Sequence, residues 1–553
     1  MKRLKRLFFY FSLFIGVLLI SSLVSVYLFK DRIIQQFIDE ANKSLSTPVR
    51  IGKIDISLWG GFPNLAIVFN DVYIEDSHAG NYPLLTAKQV SFFLNPIEVW
   101  QGRYSVRGLQ ILNSETNLKI SADGITNYTI INKRKGSSEE AIQFDLRNVR
   151  FVDTKVFYKD LSRNQDHAFI SEKLTASIAV NDDIYKILAK GDVTTEQIRV
   201  KSSTFLKMKR FQVNADLLYN DIEKDLLINP SHLALHESQF EITGKYNFKV
   251  KNSIDVACDG KNTDIQTLLS LMPESTNTRL SKYESDGNVY FSLNLKGEIS
   301  ERNDPSLSIR FGCNNTTLYH PDYKSRIEKA NLEGSFTSPS TADFSEAALF
   351  LKNVNGALNE RFFQADLSVL NFENPYVTFV FKGDLDASSI ENFYPINGVQ
   401  NLTGDLSIDI SFAGQTSLLK KKTTAQQVIA NGAIEMRRLN FNYGDQDIQF
   451  ENLSGAFRFT NNDLALSNVN GKLEHSDFEL NGFFKNIITF LLFENQPIGI
   501  ETDLKSDFID LDHLFEIGFG QEGSNDFNFN ISPNLYLNFN CDVKSLHYKR
   551  FKP

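Results

Sequence analysis

Ile265-Gln266-Thr267-Leu268-Leu269, Ile390-Glu391-Asn392-Phe393-Tyr394 and Leu511-Asp512-His513-Leu514-Phe515 share one pattern, apolar-x-x-apolar-apolar just after an acidic turn, at spacings of 125 and 121 residues. Each is followed by a strand of strict alternation: Val289, Phe291, Leu293 and Leu295 in the first copy, then Leu406, Ile408, Ile410 and Phe412 in the second. The third has Leu535, Leu537 and Phe539, continued by Cys541 and Val543. Residues of the other parity are mostly Ser, Asn, Asp and Lys. Later in the first two copies Asn331-Leu332-Glu333-Gly334 and Asn452-Leu453-Ser454-Gly455 are each expected to open a strand, and Asn-Val-Asn-Gly follows at 353–356 and 468–471. Self-similarity at a fixed period marks units that cannot bury their apolar faces alone and that stack on their neighbours. The expected fold is therefore mainly β, an elongated antiparallel array of stacked units and not several compact domains.

The same one-sided pattern precedes the first copy. Phe240, Ile242, Gly244, Tyr246, Phe248 and Val250 hold one parity, opposite Glu241, Thr243, Lys245, Asn247 and Lys249. An apolar face this long has to be covered by a second sheet, by helices or by a ligand. Helical patterns nearly vanish beyond Ala141 apart from the repeated segment, which leaves a sandwich or barrel core, or a curled sheet whose trough is filled by lipid. The 46 phenylalanines suit either.

Leu7 to Phe29 is 23 residues without a charge, enough to cross a hydrocarbon core of about 30 Å at about 1.5 Å per residue. Its apolar core is longer than that of a cleaved signal peptide and no Ala-x-Ala follows. A transmembrane anchor is expected, with Leu7, Phe14, Val17, Leu23 and Phe29 among its residues. Lys2, Arg3, Lys5 and Arg6 precede it, while Lys30, Asp31 and Arg32 nearly cancel. By the positive-inside rule the N-terminus is cytoplasmic and the bulk lies across the membrane. The expected segments are a tail at 1–6, the anchor at 7–29, an amphipathic helix at 31–45 and a small α+β cap at 46–132. A β-groove region at 141–263, repeat modules at 264–385 and 386–505 and an incomplete module at 506–553 complete the chain.

A net charge of −9 with scattered basic residues lacks the footprint of a nucleic-acid binder. Cys258, Cys313 and Cys541 show no CxxC spacing, and an odd count argues against a disulfide scaffold. The only close histidine pair, His232 and His236, falls in an alternating segment; on a strand the rings stand about 13 Å apart, so no metal site is expected. Nucleophile-elbow, phosphate-loop and dinucleotide motifs are missing from any strand-turn-helix setting. No catalytic residue, cofactor or enzymatic activity is expected, and any directional transport must draw on a lipid gradient or on partners.

Behind the anchor come Val49-Arg50-Ile51-Gly52-Lys53-Ile54, then Gly61-Phe62-Pro63 leading into Leu65 to Phe69, then Asn70-Asp71-Val72. Pro83-Leu84-Leu85-Thr86-Ala87 precedes Val90 to Leu94, and Asp123-Gly124-Ile125-Thr126-Asn127-Tyr128 forms an Asp-Gly-x-x-Asn-aromatic turn. In this order, over residues 1 to about 132, the chain resembles the AsmA-like family of bacterial envelope proteins, the AsmA/TamB type. The resemblance implies a repeating β-groove, an elongated curled antiparallel sheet with an apolar inner face. It implies an inner-membrane, single-pass protein whose periplasmic groove shields the acyl chains of phospholipid during transport towards the outer membrane, in support of outer-membrane biogenesis. Members usually run on through more β modules, so it also implies a truncated product or one that a further groove-forming chain continues. The implied partners are phospholipid or another acyl lipid, the inner membrane, and outer-membrane proteins. The alternative is a non-catalytic envelope scaffold or outer-membrane protein assembly factor, which would have a dry core.

Overall fold

The computed structural model describes Gln35 and residues 45–514 and 535–549, less 58–60, 62, 102–104, 131–142, 145–147, 182, 201–202, 249–251, 271–281, 301–302, 323–324, 342, 394–395, 397, 421, 445–446 and 493–496. The expected tail and anchor, nearly all of the helix at 31–45, and Tyr394 and Phe515 lie outside the described residues. Within them no helix is long and apolar enough to cross a membrane. The described residues are mainly β, arranged as long curled antiparallel sheet. The chain divides into two compact units, one of residues 1–259 with 269–278 and 298–302, the other of 260–268, 279–297 and 303–553.

In the first unit β1 (Val49–Ser57), β2 (Leu65–Glu75), β3 (Pro83–Leu94) and β4 (Ser105–Ile120) form an antiparallel meander. The short helix Pro96–Trp100 follows β3, and the Asn95 side chain caps it by accepting from Ile97 N at 2.9 Å. Leu65, Ile67, Phe69, Val72, Val90 and Leu94 make its buried core. β5 (Gln143–Phe144) and β6 (Val149–Asp160) run parallel to β4. From β6 the chain folds back on itself through β7 (Gln165–Asn181), β8 (Ile184–Val200), β10 (Lys209–Asn220), β11 (Asp225–Leu235) and β12 (Ser238–Asn247), each antiparallel to the one before. The short β9 (Ser203–Phe205) pairs with the end of β8, and β13 (Asn252–Thr263) crosses the unit boundary.

The second unit continues the meander through β14 (Glu284–Ile299), β15 (Ser306–Tyr319), β16 (Arg326–Ser338), β17 (Ala348–Leu358), β18 (Arg361–Leu370) and β19 (Tyr376–Asp386). Then come β20 (Val399–Gln415), β21 (Ile429–Tyr443), β22 (Ile448–Thr460), β23 (Asp463–Leu473), β24 (Ser476–Lys485) and β25 (Ile498–Ser506). Every neighbour in this series pairs antiparallel. The order then changes: β27 (Leu535–Val543) lies parallel to β25, and β26 (Ile509–Asp510) and β28 (Leu546–His547) form a separate parallel pair. Besides the repeated segment, short helices stand at Lys422–Ala425 and Ile487–Leu492, which strand-period reading passed over.

The repeated segment is helical in all three copies, at Ile265–Ser270, Ala387–Phe393 and 511–514. Its acidic turn is an N-cap. Asp264 accepts from Thr267 N at 2.6 Å, Asp386 from Ser389 N at 3.1 Å and Asp510 from His513 N at 3.2 Å. Satisfying an orphan N–H in the first turn in this way is the usual role of such a side chain. Aligned on the caps, Ile265, Leu268 and Leu269 correspond to Ala387, Ile390 and Glu391, so the second copy's Ile390, Phe393 and Tyr394 stand one turn late. Residues three apart share a helix face, so apolar spacing alone leaves the register open by a turn.

Asn331 to Gly334 and Asn452 to Gly455 do not open strands; they lie inside β16 and β22, where the pairing slips at a bulge. Lys329, Asn353, Arg438, Asn452 and Asn468 all have φ between 50° and 53°. Two residues on, a polar side chain holds each bulge. Asn331 Nδ2 donates to Lys329 O at 2.9 Å, Asn355 Nδ2 to Asn353 O at 2.7 Å, Asn440 Nδ2 to Arg438 O at 3.1 Å and Asn470 Nδ2 to Asn468 O at 2.8 Å. The same side chains reach across strands: Asn331 donates to Asn355 Oδ1 at 2.9 Å, and Asn440 Oδ1 accepts from Asn452 N at 2.8 Å. Bulges bend the strand and increase its twist, so a row of them curls the sheet. Gly432 lies in regular register with Ile410, and at its φ of 129° a Cβ would fall 2.0 Å from Asp409 O, so only glycine fits there.

Candidate binding trough

Alternation puts one apolar side chain in register with the next across strand after strand. In the second unit Phe381, Ile410, Gly432, Phe459, Leu464, Phe484, Ile500 and Leu537 are successive cross-strand partners from β19 to β27. Beside them run Ile408, Ile434, Phe457, Leu466, Gly482, Thr502 and Phe539. A further row joins Phe291 to Phe311, and Leu351, Leu367, Phe379 and Phe412 in turn. Leu464 and Leu466 are buried, but Phe381, Ile408, Ile410, Ile434, Phe457, Phe459, Phe484 and Ile500 remain partly exposed. The opposite face is ionic: Lys382 meets Asp409 at 2.9 Å and Lys485 meets Glu501 at 2.6 Å, both exposed. Such surface pairs add little stability but keep that face wet.

Between β16 and β21 the apolar face folds into a trough of about 360 Å³ lined entirely by apolar residues, among them Ile327, Phe363, Phe381, Ile408, Ile410 and Ile434. Ile327 and Ile434 are five strand positions apart, roughly 24 Å along a flat sheet; lining one trough, they show how tightly the sheet curls here. The helix Ala387–Phe393 contributes Ile390 and Phe393 to the wall. At about 30 Å³ per water-sized group, the trough has room for about a dozen of them.

Of the expected lining residues, Ile408 and Ile410 face this trough. Phe291, Leu293, Leu295, Leu406, Phe412 and Leu535 are partly exposed, Leu406 packing against the cluster around Met436 and Leu439. Val289 is buried with Cys313, Ala330 and Leu268, and Phe240 is buried on β12 beside the partly exposed Ile242. Leu537, Phe539 and Phe248 stand 50%, 44% and 51% exposed. Phe363 and Phe381, on the strands between the repeat signatures, were missed although they alternate as clearly. Ile265 and Leu269 are partly exposed on their helix, as are Leu511 and Leu514 on theirs.

The first unit curls along its own line of bulges, at Ile170/Leu174, Asn214/Leu217 and Ile228/Ser231. Tyr158 on β6 and Tyr246 on β12 are also five strand positions apart, yet the Tyr246 phenol lies close enough to help burial raise the pKa of Tyr158 and of Tyr128. Burial first, and then the Asp160 carboxylate, pushes the Tyr158 phenol up to about 12. Tyr246 and Phe248 rings pack at 4.4 Å.

All three cysteines are free; burial, then Asp259, pushes the Cys258 thiol up to about 11, and burial also raises Cys313. His232 sits on β11, 3.9 Å from Glu241, while His236 lies in the turn before β12 at φ 53° and not on the strand itself. What the apolar arrangement can do is hold a long, flexible, nonpolar chain without hydrogen bonds. Comparison with family models, with curated proteins and with solved structures gives no match.

Proposed function

We propose that this chain is a non-enzymatic lipid-transfer protein, anchored in the inner membrane by residues 7–29, whose periplasmic β-groove shields phospholipid acyl chains on their way to the outer membrane. The observation that carries this reading is the continuous, partly exposed apolar band of the second unit with its all-apolar trough. The only other sheet among the described residues is the two-stranded β26–β28 pair. Exposed apolar surface of this extent marks a binding surface. At about 0.8 kcal/mol per methylene, leaving a sixteen-carbon tail in water costs on the order of 12 kcal/mol. A half-covered apolar band removes most of that barrier and leaves a charged headgroup in solvent. The likeness of residues 1 to about 132 to the AsmA-like family supports the same reading.

Lipid mass spectrometry on the exported, gently solubilised chain tests it. Stoichiometric phospholipid is expected, and Ile408→Asp with Ile410→Asp should remove it while circular dichroism stays unchanged. A lipid-free, stably folded protein would refute the reading. One observation favours a scaffold instead: β27 carries exposed Tyr536, Leu537 and Phe539, a surface on which a partner strand could add. A scaffold would yield protein cross-links from position 536 and no bound lipid.

A further inference from the structure

Three of the chain's eight histidines converge with three carboxylates in the second unit. The side chains come from three places far apart in sequence. Glu474 and His475 form the turn between β23 and β24, Asp510 ends β26 and leads into the helical turn with Asp512 and His513, and His547 ends β28. Asp510 and His547 are register partners in the parallel β26–β28 pair. His547 Nδ1 lies 3.5 Å from Asp510 Oδ1, and His475 Nδ1 lies 4.0 Å from Asp510 Oδ2. His513 Nε2 is 3.4 Å from Glu474 Oε2, and the His475 and His513 rings are 4.6 Å apart.

We propose that Asp510, Asp512 and His547 bind a divalent transition metal of the zinc class, with His475 as fourth ligand. One donor atom from each of the first three residues lies within 4.8 Å of the others. A tetrahedral zinc with bonds of about 2.0–2.2 Å sets its ligand atoms roughly 3.4 Å apart, so closure of these three asks for small side-chain movements, while His475, 4.0 Å from Asp510 Oδ2 and outside that group, has further to move. The donor set is imidazole and carboxylate without sulfur, which suits zinc, nickel or cobalt better than copper(I). Backbone N–H groups already orient the two carboxylates: Asp510 Oδ1 accepts from His513 N at 3.2 Å and Asp512 Oδ2 from Lys549 N at 2.6 Å. The two ligand carboxylates, Asp510 and Asp512, supply the negative charge that a dication needs.

The position gives the site a role. β27 is joined to its neighbour β25 by a parallel ladder, and its flanking segments β26 and β28 are only two residues each. A metal held by residues from both flanks and from the β23–β24 turn ties that strand to the rest of the sheet.

The test uses the full chain, carrying an affinity tag without histidine, stripped with chelator and titrated with zinc. One equivalent should bind saturably, the melting temperature should rise, residues 535–549 should gain protection from proteolysis, and cobalt should give the visible absorption of a tetrahedral site. His547→Ala, which caps no helix, should weaken zinc binding at least tenfold with unchanged circular dichroism; Asp512→Asn should do the same. No saturable one-to-one binding by the unmodified chain, or binding that both substitutions leave unchanged, would overturn the site.

Discussion

Asn127 shows how a turn motif legible in sequence becomes a structural clasp. It is fully buried: its Nδ2 donates to Asp76 Oδ2 and to Asn117 O, both at 2.9 Å, and its Oδ1 accepts from Lys119 N at 2.7 Å. One side chain thus holds the loop after β4 to the loop after β2. Alanine would leave the buried Asp76 carboxylate and two backbone groups without these partners, at roughly 2–4 kcal/mol. The expected outcome is a melting temperature lowered by several degrees for Asn127→Ala. Asn127→Asp should be worse, because it faces one carboxylate with another in a buried place. A melting curve that neither substitution moves would show that the loop does not depend on this residue.

The helix Ala387–Phe393 does the corresponding work among the elements. Its cap, Asp386, has a depressed carboxyl pKa: burial opposes the charge, but hydrogen bonds from Ser388 and Ser389 and the nearby Arg361 outweigh it. The carboxyl sits lower in the folded chain than in the unfolded one. Its contribution is therefore fully present above the ordinary carboxylate range, about 3.9, and is lost as the pH falls through the folded value. Asp386→Ala should cost about 1 kcal/mol at neutral pH, and acid titration of thermal stability should bring variant and parent together; a constant difference down to the lowest pH would contradict the cap. The limits of the sequence lie at this scale. Alternation in β14, β20 and β27 was plain, because a half-exposed strand face writes itself as period two. The register of Ile390 was not, because the cap is a contact between side chain and backbone. Nor were the bulges at Lys329 and Arg438, since nothing about a lysine or arginine announces φ near 50°; the signal lay two residues on, in Asn331 and Asn440. The convergence of His475, His513 and His547 was invisible because only the fold brings them together.

For the molecule as a whole, the proposed transfer function makes a claim that a packed core does not: a single parity of each strand should meet lipid. Along β20 that parity is Leu406, Ile408, Ile410 and Phe412, and its neighbours Ser407, Asp409 and Ser411 belong to the face where Lys382 pairs with Asp409. Photo-activatable residues placed singly at 407 to 412 in the membrane-embedded chain should therefore cross-link acyl lipid with period two, strongly at 408 and 410 and weakly at 407, 409 and 411. The same alternation should return at Ile434, the cross-strand partner of Ile408, and at Phe457, the partner of Ile434, and fail at Glu435 and Arg458. Sequence position and backbone flexibility change smoothly along a strand, so neither produces an alternating yield. Equal labelling on both parities would mean that lipid merely coats the chain, and cross-links to protein alone at 408 and 410 would mean that the band is filled from within or by a partner. The alternation extends over both units only if the chain carries lipid along its length. Finding it at Ile408 and Ile434 but not at Ile178 and Ile187, apolar partners of the first unit, would confine the acyl path to the second.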